Sequence, residues 1–167
     1  MLIANIVELL KNLPPELSVF FLSMLPVTEL RFSIPVALTV YKLSIFSTIF
    51  FSVWGAIMIV LVLLVFLEKI YLWISKTSKR GEKFFRWIFN KTERKFQGKY
   101  AKYGALALVL FVALPLPFTG FWSGAVAAFV FRIPFLKSFG LIAVGILVSS
   151  LIITLLTLTG VGLISIF

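Results

Sequence analysis

Two ionisable residues, Glu29 and Arg31, lie in an apolar stretch of the sequence where membrane depth is expected. A charge at that depth costs about 2.5 kcal/mol or more on insertion scales, so its presence indicates a function. Pro26 and Pro35 favour extended backbone between them, and side chains two residues apart on extended backbone point to the same side. The spacing predicts that both charges face one cavity. An ion pair that only stabilises the segment is the alternative.

Glu29 is also the candidate for proton coupling. Burial favours the neutral form of a carboxylate, and a neighbouring arginine favours the charged form. A glutamate balanced between these two effects can bind a proton in one state of a protein and release it in another. The sequence contains no histidine to share this role, and the other glutamates fall at or outside the expected membrane boundaries.

Two short sequence patterns predict the starts of half-helices. Ser33 and Pro35 form one of them, with serine as the N-cap and proline in the first turn. In a second apolar stretch, Thr119 can cap a half-helix that begins near Phe121. Two facing helix N-termini together with Arg31 would form an anion site in the middle of the membrane.

The composition removes most hydrolytic and metal chemistry. The sequence has no cysteine, histidine or aspartate, so Ser-His-Asp and Cys-His sets cannot form, and a metal site would need glutamates alone. Of its 167 residues, 61% are hydrophobic and 13% charged, against about 45–50% and about 25% in soluble domains. We expect one integral membrane domain without a metal, a cofactor or enzymatic activity.

Two uncharged segments are long enough to cross a membrane. Residues 45–67 would span roughly 34 Å as a helix, against hydrocarbon about 30 Å thick, and residues 138–159 are similar. Residues 17–41 and 104–131 instead have two short apolar halves around a proline-rich centre. Each is either a broken crossing helix or a re-entrant hairpin, with irregular backbone buried in protein or facing a water-filled cavity.

The charge distribution favours hairpins. Residues 69–102 carry eleven of the sixteen basic residues and only two acidic ones, which predicts a cytoplasmic loop in a multi-pass protein of the prokaryotic inner membrane. With two hairpins, Lys11 and Lys42 lie outside and Arg132 and Lys137 lie inside. With two full crossings, the latter pair would lie outside, against the positive-inside rule.

The basic segment has helical periodicity, with aromatic and apolar residues on one face and cations on the other. This amphipathic helix would either lie in the headgroup layer, held by anionic lipids, or pack on the protein's own helices. Nucleic-acid binding is not expected, because the segment is short and tethered at both ends. The residues of the apolar face are Phe84, Phe85, Ile88, Thr92, Phe96, Tyr100 and Tyr103.

The two halves of the chain, 17–67 and 104–159, resemble each other. Each has a broken segment, a basic residue and then a full span with a glycine thirteen residues after that basic residue. The matched positions are Leu25-Pro26 with Leu114-Pro115, Lys42 with Arg132, and Gly55 with Gly145. We therefore expect an all-α fold with an inverted repeat of the kind found in secondary transporters, plus amphipathic helices at the N-terminus (1–13) and in the centre.

The string TELRFSIPVAL, followed about 75 residues later by LPLPFTGFWSGAVAA, resembles the small multidrug export family. The first family element, E-L-R-x-x-I-P, falls on Glu29, Leu30, Arg31, Ile34 and Pro35. The second, L-P-x-P-x-T-G-x-W-x-G, falls on Leu114, Pro115, Pro117, Thr119, Gly120, Trp122 and Gly124. The family usually has Gly-Ala where this chain has Phe32-Ser33, which makes the local backbone less permissive.

That family looks like a distant relative of the DedA proteins, which share paired re-entrant hairpins and are linked to transport of lipid-linked phosphates and to proton-dependent drug tolerance. The resemblance implies a transporter or flippase for an anionic lipid such as a polyprenyl phosphate. Glu29 would bind the proton and Arg31 the headgroup, assisted by Arg132 at the membrane edge. The expected substrate-binding residues are Glu29, Arg31, Ser33, Pro35, Thr119, Gly120, Trp122 and Arg132. The expected helix breaks are Pro26, Pro35, Pro115, Pro117 and Gly124.

Two other functions remain open at this point. The first is proton-coupled export of cationic drugs, because an intramembrane glutamate suits a cation better than an arginine does. The second is a membrane scaffold that transports nothing. Any transporter with so few uninterrupted spans is expected to be a homodimer. The expected partners are anionic membrane lipids at residues 69–102 and an amphiphilic substrate.

Overall fold

The computed structural model describes residue 10 and residues 12–96, 100–116 and 119–160. Within these residues the protein consists of seven α-helices without a strand, which confirms the all-α class for this part of the chain. The helices are α1 (Pro15–Met24), α2 (Glu29–Thr39), α3 (Ile45–Thr77), α4 (Lys79–Phe96), α5 (Tyr100–Ala113), α6 (Phe121–Val130) and α7 (Phe135–Leu158). Most of the expected N-terminal amphipathic helix (1–13) lies outside the described residues.

Two of these helices, α3 and α7, are long and apolar enough to cross a membrane. Helix α3 starts at its N-cap Ser44, whose Oγ accepts the N–H of Ser47 at 3.2 Å. The helix has 33 residues and extends past the uncharged run of residues 45–67 to Thr77. Charge ends an apolar run without ending a helix, and no proline or glycine interrupts residues 68–77. Helix α7 starts after Pro134, three residues before the predicted start at 138.

Both proline-rich segments are broken, as expected. The first break, residues 25–28, contains Pro26, and the second break, described at residues 114–116 and 119–120, contains Pro115. Extended backbone from Pro26 to Pro35 was predicted and is wrong, because α2 begins at Glu29 and continues through Pro35.

Two of the predicted helix breaks are therefore not breaks. A proline at position 35 removes a single helical hydrogen bond, and the buried Leu30, Ile34 and Ala37 on the same helix offset that loss by packing. Gly124 likewise lies inside α6. Pro117 lies outside the described residues.

Close helix contacts form at the two matched glycines. A Cβ on Gly145 of α7 would lie 2.7 Å from the Cβ of Val112 on α5. A Cβ on Gly55 of α3 would lie 3.1 Å from the carbonyl carbon of Phe20 on α1 and would overlap Ser23. Both distances are below normal van der Waals contact, so glycine is what lets each long helix approach its partner.

The packing pattern is the same in both halves. Within the halves, α1 packs on α2 and α3, α2 packs on α3, α5 packs on α6 and α7, and α6 packs on α7. Between the halves, α3 packs on α7, α2 on α7, and α3 on α6. Exchanging α1, α2 and α3 with α5, α6 and α7 leaves this set of pairs unchanged. The matched cations also share a backbone conformation, with φ of +51° at Lys42 and +52° at Arg132.

Helix α4 confirms the helical periodicity expected of the basic segment over residues 79–96. Its Phe85 and Phe89 pack edge-on against Tyr71 of α3, and both also contact Phe129 of α6. Phe84 of the same predicted face stays exposed. Of the predicted face, Phe85 thus packs on the protein's own helices while Phe84 does not, and Phe89, which was not part of that face, packs beside Phe85. The predicted side chains of Ile88, Thr92, Phe96, Tyr100 and Tyr103 lie outside what the structure describes.

Candidate functional site

Glu29 is the first residue of α2 and has an unusual backbone. Its φ is +44°, a region that residues with a side chain rarely occupy and that costs about 1–3 kcal/mol. The residue before it, Thr28, is fully buried, and its Oγ1 donates a hydrogen bond to the carbonyl of Leu22 on α1. The surrounding contacts therefore hold Glu29 in a strained conformation at the first break.

The carboxylate of Glu29 lies against the second break, at Gly120. A Cβ on Gly120 would lie 2.9 Å from both Cδ and Oε1 of Glu29, and closer still to Oε2. The backbone N–H of Trp122, in the first turn of α6, interacts with the same carboxylate. The free N–H groups and the dipole at a helix N-terminus favour an anion. Glu29 therefore supplies that anion to α6 from the other half of the chain.

Arg31 also reaches the second break. Its Nη2 donates to the carbonyl of Thr119 at 2.5 Å and to Oγ1 of Thr119 at 3.1 Å. The Thr119 hydroxyl in turn lies 2.7 Å from the carbonyls of Leu114 and Leu116 and accepts the N–H of Leu116 at 3.1 Å. Arg31 therefore fixes the loop that precedes α6, while Glu29 contacts the helix start itself.

A third contact runs in the opposite direction. Nε1 of Trp122 donates to the carbonyl of Met24 at 3.1 Å. Met24 is the last residue of α1, where helix carbonyls lack an intrahelical partner. The two breaks are thus joined by Glu29, Arg31 and Trp122, and the predicted meeting of the two broken segments is what the structure has.

Glu29 and Arg31 do not form the ion pair that was the alternative interpretation. The ion pair found in the described part of the chain joins Arg86 and Glu82 on α4. Two residues apart on a helix, side chains point in directions about 200° apart. Each of the two charged groups therefore makes its own contact with the second half.

Two predicted caps are wrong. Ser33 is not an N-cap but a fully buried residue within α2, and its Oγ lies 3.4 Å from Oγ of Ser52 on α3. Pro35 is inside the same helix rather than in its first turn. Thr119 does not cap α6, because its hydroxyl is used by the loop, and the N-cap is Gly120 with φ of +136°. The start of α6, where a site for a substrate anion was predicted, is therefore occupied by Glu29.

Arg132 is not brought together with the other predicted site residues. It follows the ten-residue helix α6, whose opposite end carries Gly120, so the two are about 15 Å apart. The Arg132 guanidinium lies 4.4 Å from the ring centroid of Phe89, and its Nη2 lies 3.5 Å from the hydroxyl of Tyr71.

Sequence reasoning missed several partners in this site. The carbonyl of Met24 and the hydroxyl of Thr28 carry no signal in the sequence, because a backbone carbonyl exists at every position and a lone threonine in an apolar stretch is common. The rings of Tyr71 and Phe89 were not among the residues singled out from the sequence, because aromatic residues are common in apolar and amphipathic segments. No group of three metal-ligating side chains occurs among the described residues.

Comparison with known proteins identifies the family. The chain matches the family model described as "Putative small multi-drug export protein" over residues 29–152. The match begins at Glu29, directly after the first break, and includes Arg31, the second break and Trp122. Neither the curated proteins nor the solved structures gave a match. Because the family match covers about three-quarters of the sequence, the chain belongs to the family of small multi-drug export proteins.

Proposed function

We propose that this protein is a membrane transporter that exports cationic amphiphiles in exchange for protons. The observation that carries the proposal is the position of Glu29. Its carboxylate extends from the first break onto the helix start at Gly120 in the second break. Separation of the two breaks would release the carboxylate to bind either a proton or a cationic substrate, and competition for one acid couples the two.

The same geometry supports a cationic substrate over the polyprenyl phosphate considered from the sequence. An anionic headgroup needs an available cation, but Arg31 already donates to the carbonyl and hydroxyl of Thr119. The N-terminus of α6 is also taken, by Glu29. A phosphate would need both of these contacts to be released, whereas a cation needs the release of Glu29 alone. The family description, which names drug export, agrees with this choice.

We further propose that each half contains a re-entrant hairpin and that the halves form an inverted repeat, as the resemblance to the DedA plan implies. Helices α1, α2 and α6 have 10, 11 and 10 residues, or about 15–17 Å each, half of the hydrocarbon thickness. The unchanged set of packed pairs on exchange of the halves supports the repeat. Rocking of one half against the other would open and close the site.

Orientation and assembly follow from charge and surface. We place the basic end of α3 and helix α4 in the cytoplasm of a prokaryotic cell, by the positive-inside rule. We also propose a homodimer, because two full spans leave little room for a pathway within one chain. Exposed apolar side chains on α3, among them Phe50 and Trp54, are available to lipid or to a second copy.

Reconstituted liposomes with an imposed pH gradient test this function. We expect the wild-type protein to move a fluorescent cationic amphiphile in a gradient-dependent manner and to leave a fluorescent polyprenyl phosphate in place. Glu29→Gln should abolish the movement, while Glu16→Gln, on α1 of the same half, should retain it. Movement of the phosphate lipid but not of the cation would establish the anionic substrate instead. Movement of neither by the wild-type protein would favour the scaffold.

A further inference from the structure

A cavity of about 310 Å³ lies where α3, α4, α6 and the start of α7 meet. Aromatic rings of Tyr71, Phe89 and Phe129 form part of its wall, and two charged residues, Glu68 and Arg132, also line it. The cavity lies at the end of α6 away from Gly120, about 15 Å from the Glu29 site. It is therefore separate from the proposed transport site.

The two charged residues that line this cavity are opposite in sign. Arg132 lies 4.4 Å from the ring centroid of Phe89 and 3.5 Å from the Tyr71 hydroxyl. Neither Arg132 nor Glu68 has an ion-pair partner within the described part of the chain. Two opposite charges face the same space without neutralising each other, so a ligand that carries both charges complements the site better than an anion or a cation alone.

The level of the cavity along α3 indicates where such a ligand comes from. Glu68 is the first charged residue after the uncharged run of residues 45–67, so the cavity lies where the apolar part of the helix ends and lipid headgroups begin. At the start of α7, Leu136 is 81% exposed beside the cavity residue Phe135. An apolar surface thus adjoins the polar opening, as an attached acyl chain requires.

We propose that this cavity binds the zwitterionic headgroup of a phospholipid, with the phosphate on Arg132 and the ammonium group at Glu68. A guanidinium binds phosphate oxygens through several N–H donors, and aromatic faces attract an ammonium group. A volume of about 310 Å³ is at the lower end of ligand cavities, which run from about 300 to 1,000 Å³. The cavity therefore accommodates a headgroup and leaves the acyl chains outside.

The lipid is bound here as a resident ligand that joins α4 to the membrane helices. The cavity wall includes Tyr71 of α3, Phe89 of α4 and Phe129 of α6, so an occupied cavity ties these three helices together. Binding and thermal stability are therefore linked, because a ligand that binds only the folded state stabilises it.

The chain offers a matched control for Arg132. Lys42 occupies the corresponding position after the half-helix of the first half and has the same backbone conformation, with φ of +51° against +52°. Lys42 is exposed and does not line this cavity. Arg132→Gln and Lys42→Gln therefore impose the same backbone strain and the same loss of charge, and they differ in whether the cavity loses its cation. Glu16→Gln is the control for Glu68→Gln.

Short-chain lipids added to the purified protein in detergent provide the test, with native mass spectrometry for binding and thermal unfolding for stability. We expect phosphatidylethanolamine and phosphatidylcholine to bind at least tenfold more tightly than phosphatidylglycerol. Arg132→Gln should weaken the binding of zwitterionic lipids at least tenfold. Glu68→Gln should remove the preference over phosphatidylglycerol, and both control variants should behave as wild type. Unfolding midpoints without lipid confirm that each variant is folded.

Four outcomes would overturn the proposal. If the wild type binds phosphatidylglycerol more tightly than the zwitterionic lipids, the site selects anionic headgroups. An unchanged lipid preference in Glu68→Gln would rule out the contact between Glu68 and the ammonium group. Soluble glycerophosphoethanolamine that binds as tightly as the lipid would identify a soluble ester as the ligand, and inorganic phosphate that competes as well as either would reduce the site to an anion contact.

Discussion

The carboxylate of Glu29 lies against Gly120, and no side chain fits between them. The two residues are at the breaks of different halves, and Gly120 has φ of +136°, which residues other than glycine rarely adopt. The contact therefore explains both the glycine and the strained backbone of Glu29. It makes the acid the point where the two halves meet.

Gly120→Ala should separate the two breaks. The new Cβ would overlap the Glu29 carboxylate, and the backbone would be strained as well, so we expect a loss of about 1–3 kcal/mol in the free energy of unfolding. The rate of transport of the cationic amphiphile should fall together with the stability. Thermal unfolding in detergent and liposome uptake measure the two effects.

Gly140→Ala is the matched control. Gly140 lies inside α7, and a Cβ there would contact nothing within 4 Å. This substitution should be neutral or stabilise the helix by about 0.5–1 kcal/mol. Equal effects of the two substitutions would mean that the Glu29–Gly120 contact does not contribute to the stability of the fold.

Arg31→Lys should show that Arg31 acts by position and not by charge alone. Lysine retains the charge but loses the planar group whose Nη2 contacts both the carbonyl and the hydroxyl of Thr119. Loss of a hydrogen bond to a charged group costs about 1.5–3 kcal/mol of stability. We expect that loss in unfolding experiments, together with slower transport.

A double-mutant cycle with Thr119→Val tests whether the two residues interact. The two substitutions should be non-additive by about 0.5 kcal/mol or more, because they share a contact. Arg31→Lys combined with Thr39→Val, whose hydroxyl donates to the carbonyl of Pro35 within α2, should be additive. Additivity in both pairs would reject the contact.

The sequence predicted some of this site and could not predict the rest. Glu29 and Arg31 were predictable because charges in an apolar stretch are rare, and the long helices because length and hydropathy identify a span. The helix through Pro35 could not be predicted, because packing against α1 and α3 overrides a local preference for extended backbone. The bond from Trp122 to Met24 joins residues 98 positions apart, and no local pattern encodes it.

Trp122→Phe should lower stability through one lost hydrogen bond. The phenyl ring keeps most of the packing, but Nε1 no longer donates to the carbonyl of Met24 at the end of α1. An unsatisfied carbonyl in a part-buried site costs about 1–3 kcal/mol. Trp54→Phe on α3, where the indole is 54% exposed, should cost much less. A similar shift of the unfolding midpoint in both variants would contradict the assignment.

Gly55→Ala and Gly145→Ala should have matching effects. Each glycine lies where the long helix of its half contacts the first helix of that half, α1 or α5, and an added Cβ would overlap that helix. Overpacking of this kind costs about 1–3 kcal/mol, and both variants should lose stability in that range. A large loss at one position with none at the other would show that the two halves do not pack alike.

Cysteine labelling decides between hairpins and full crossings. The native sequence has no cysteine, so single cysteines can replace Asn12, Lys42, Ser78 and Lys137 without background. If each broken segment is a hairpin, the pair 12 and 42 shares one side of the membrane and the pair 78 and 137 shares the other. A membrane-impermeant maleimide should then label positions 12 and 42 in intact cells, and positions 78 and 137 only after permeabilisation. Full crossings would instead place 12 and 42 on opposite sides, and 78 and 137 as well. That result would rule out the proposed hairpins and inverted repeat, but it would not affect the contact between Glu29 and Gly120.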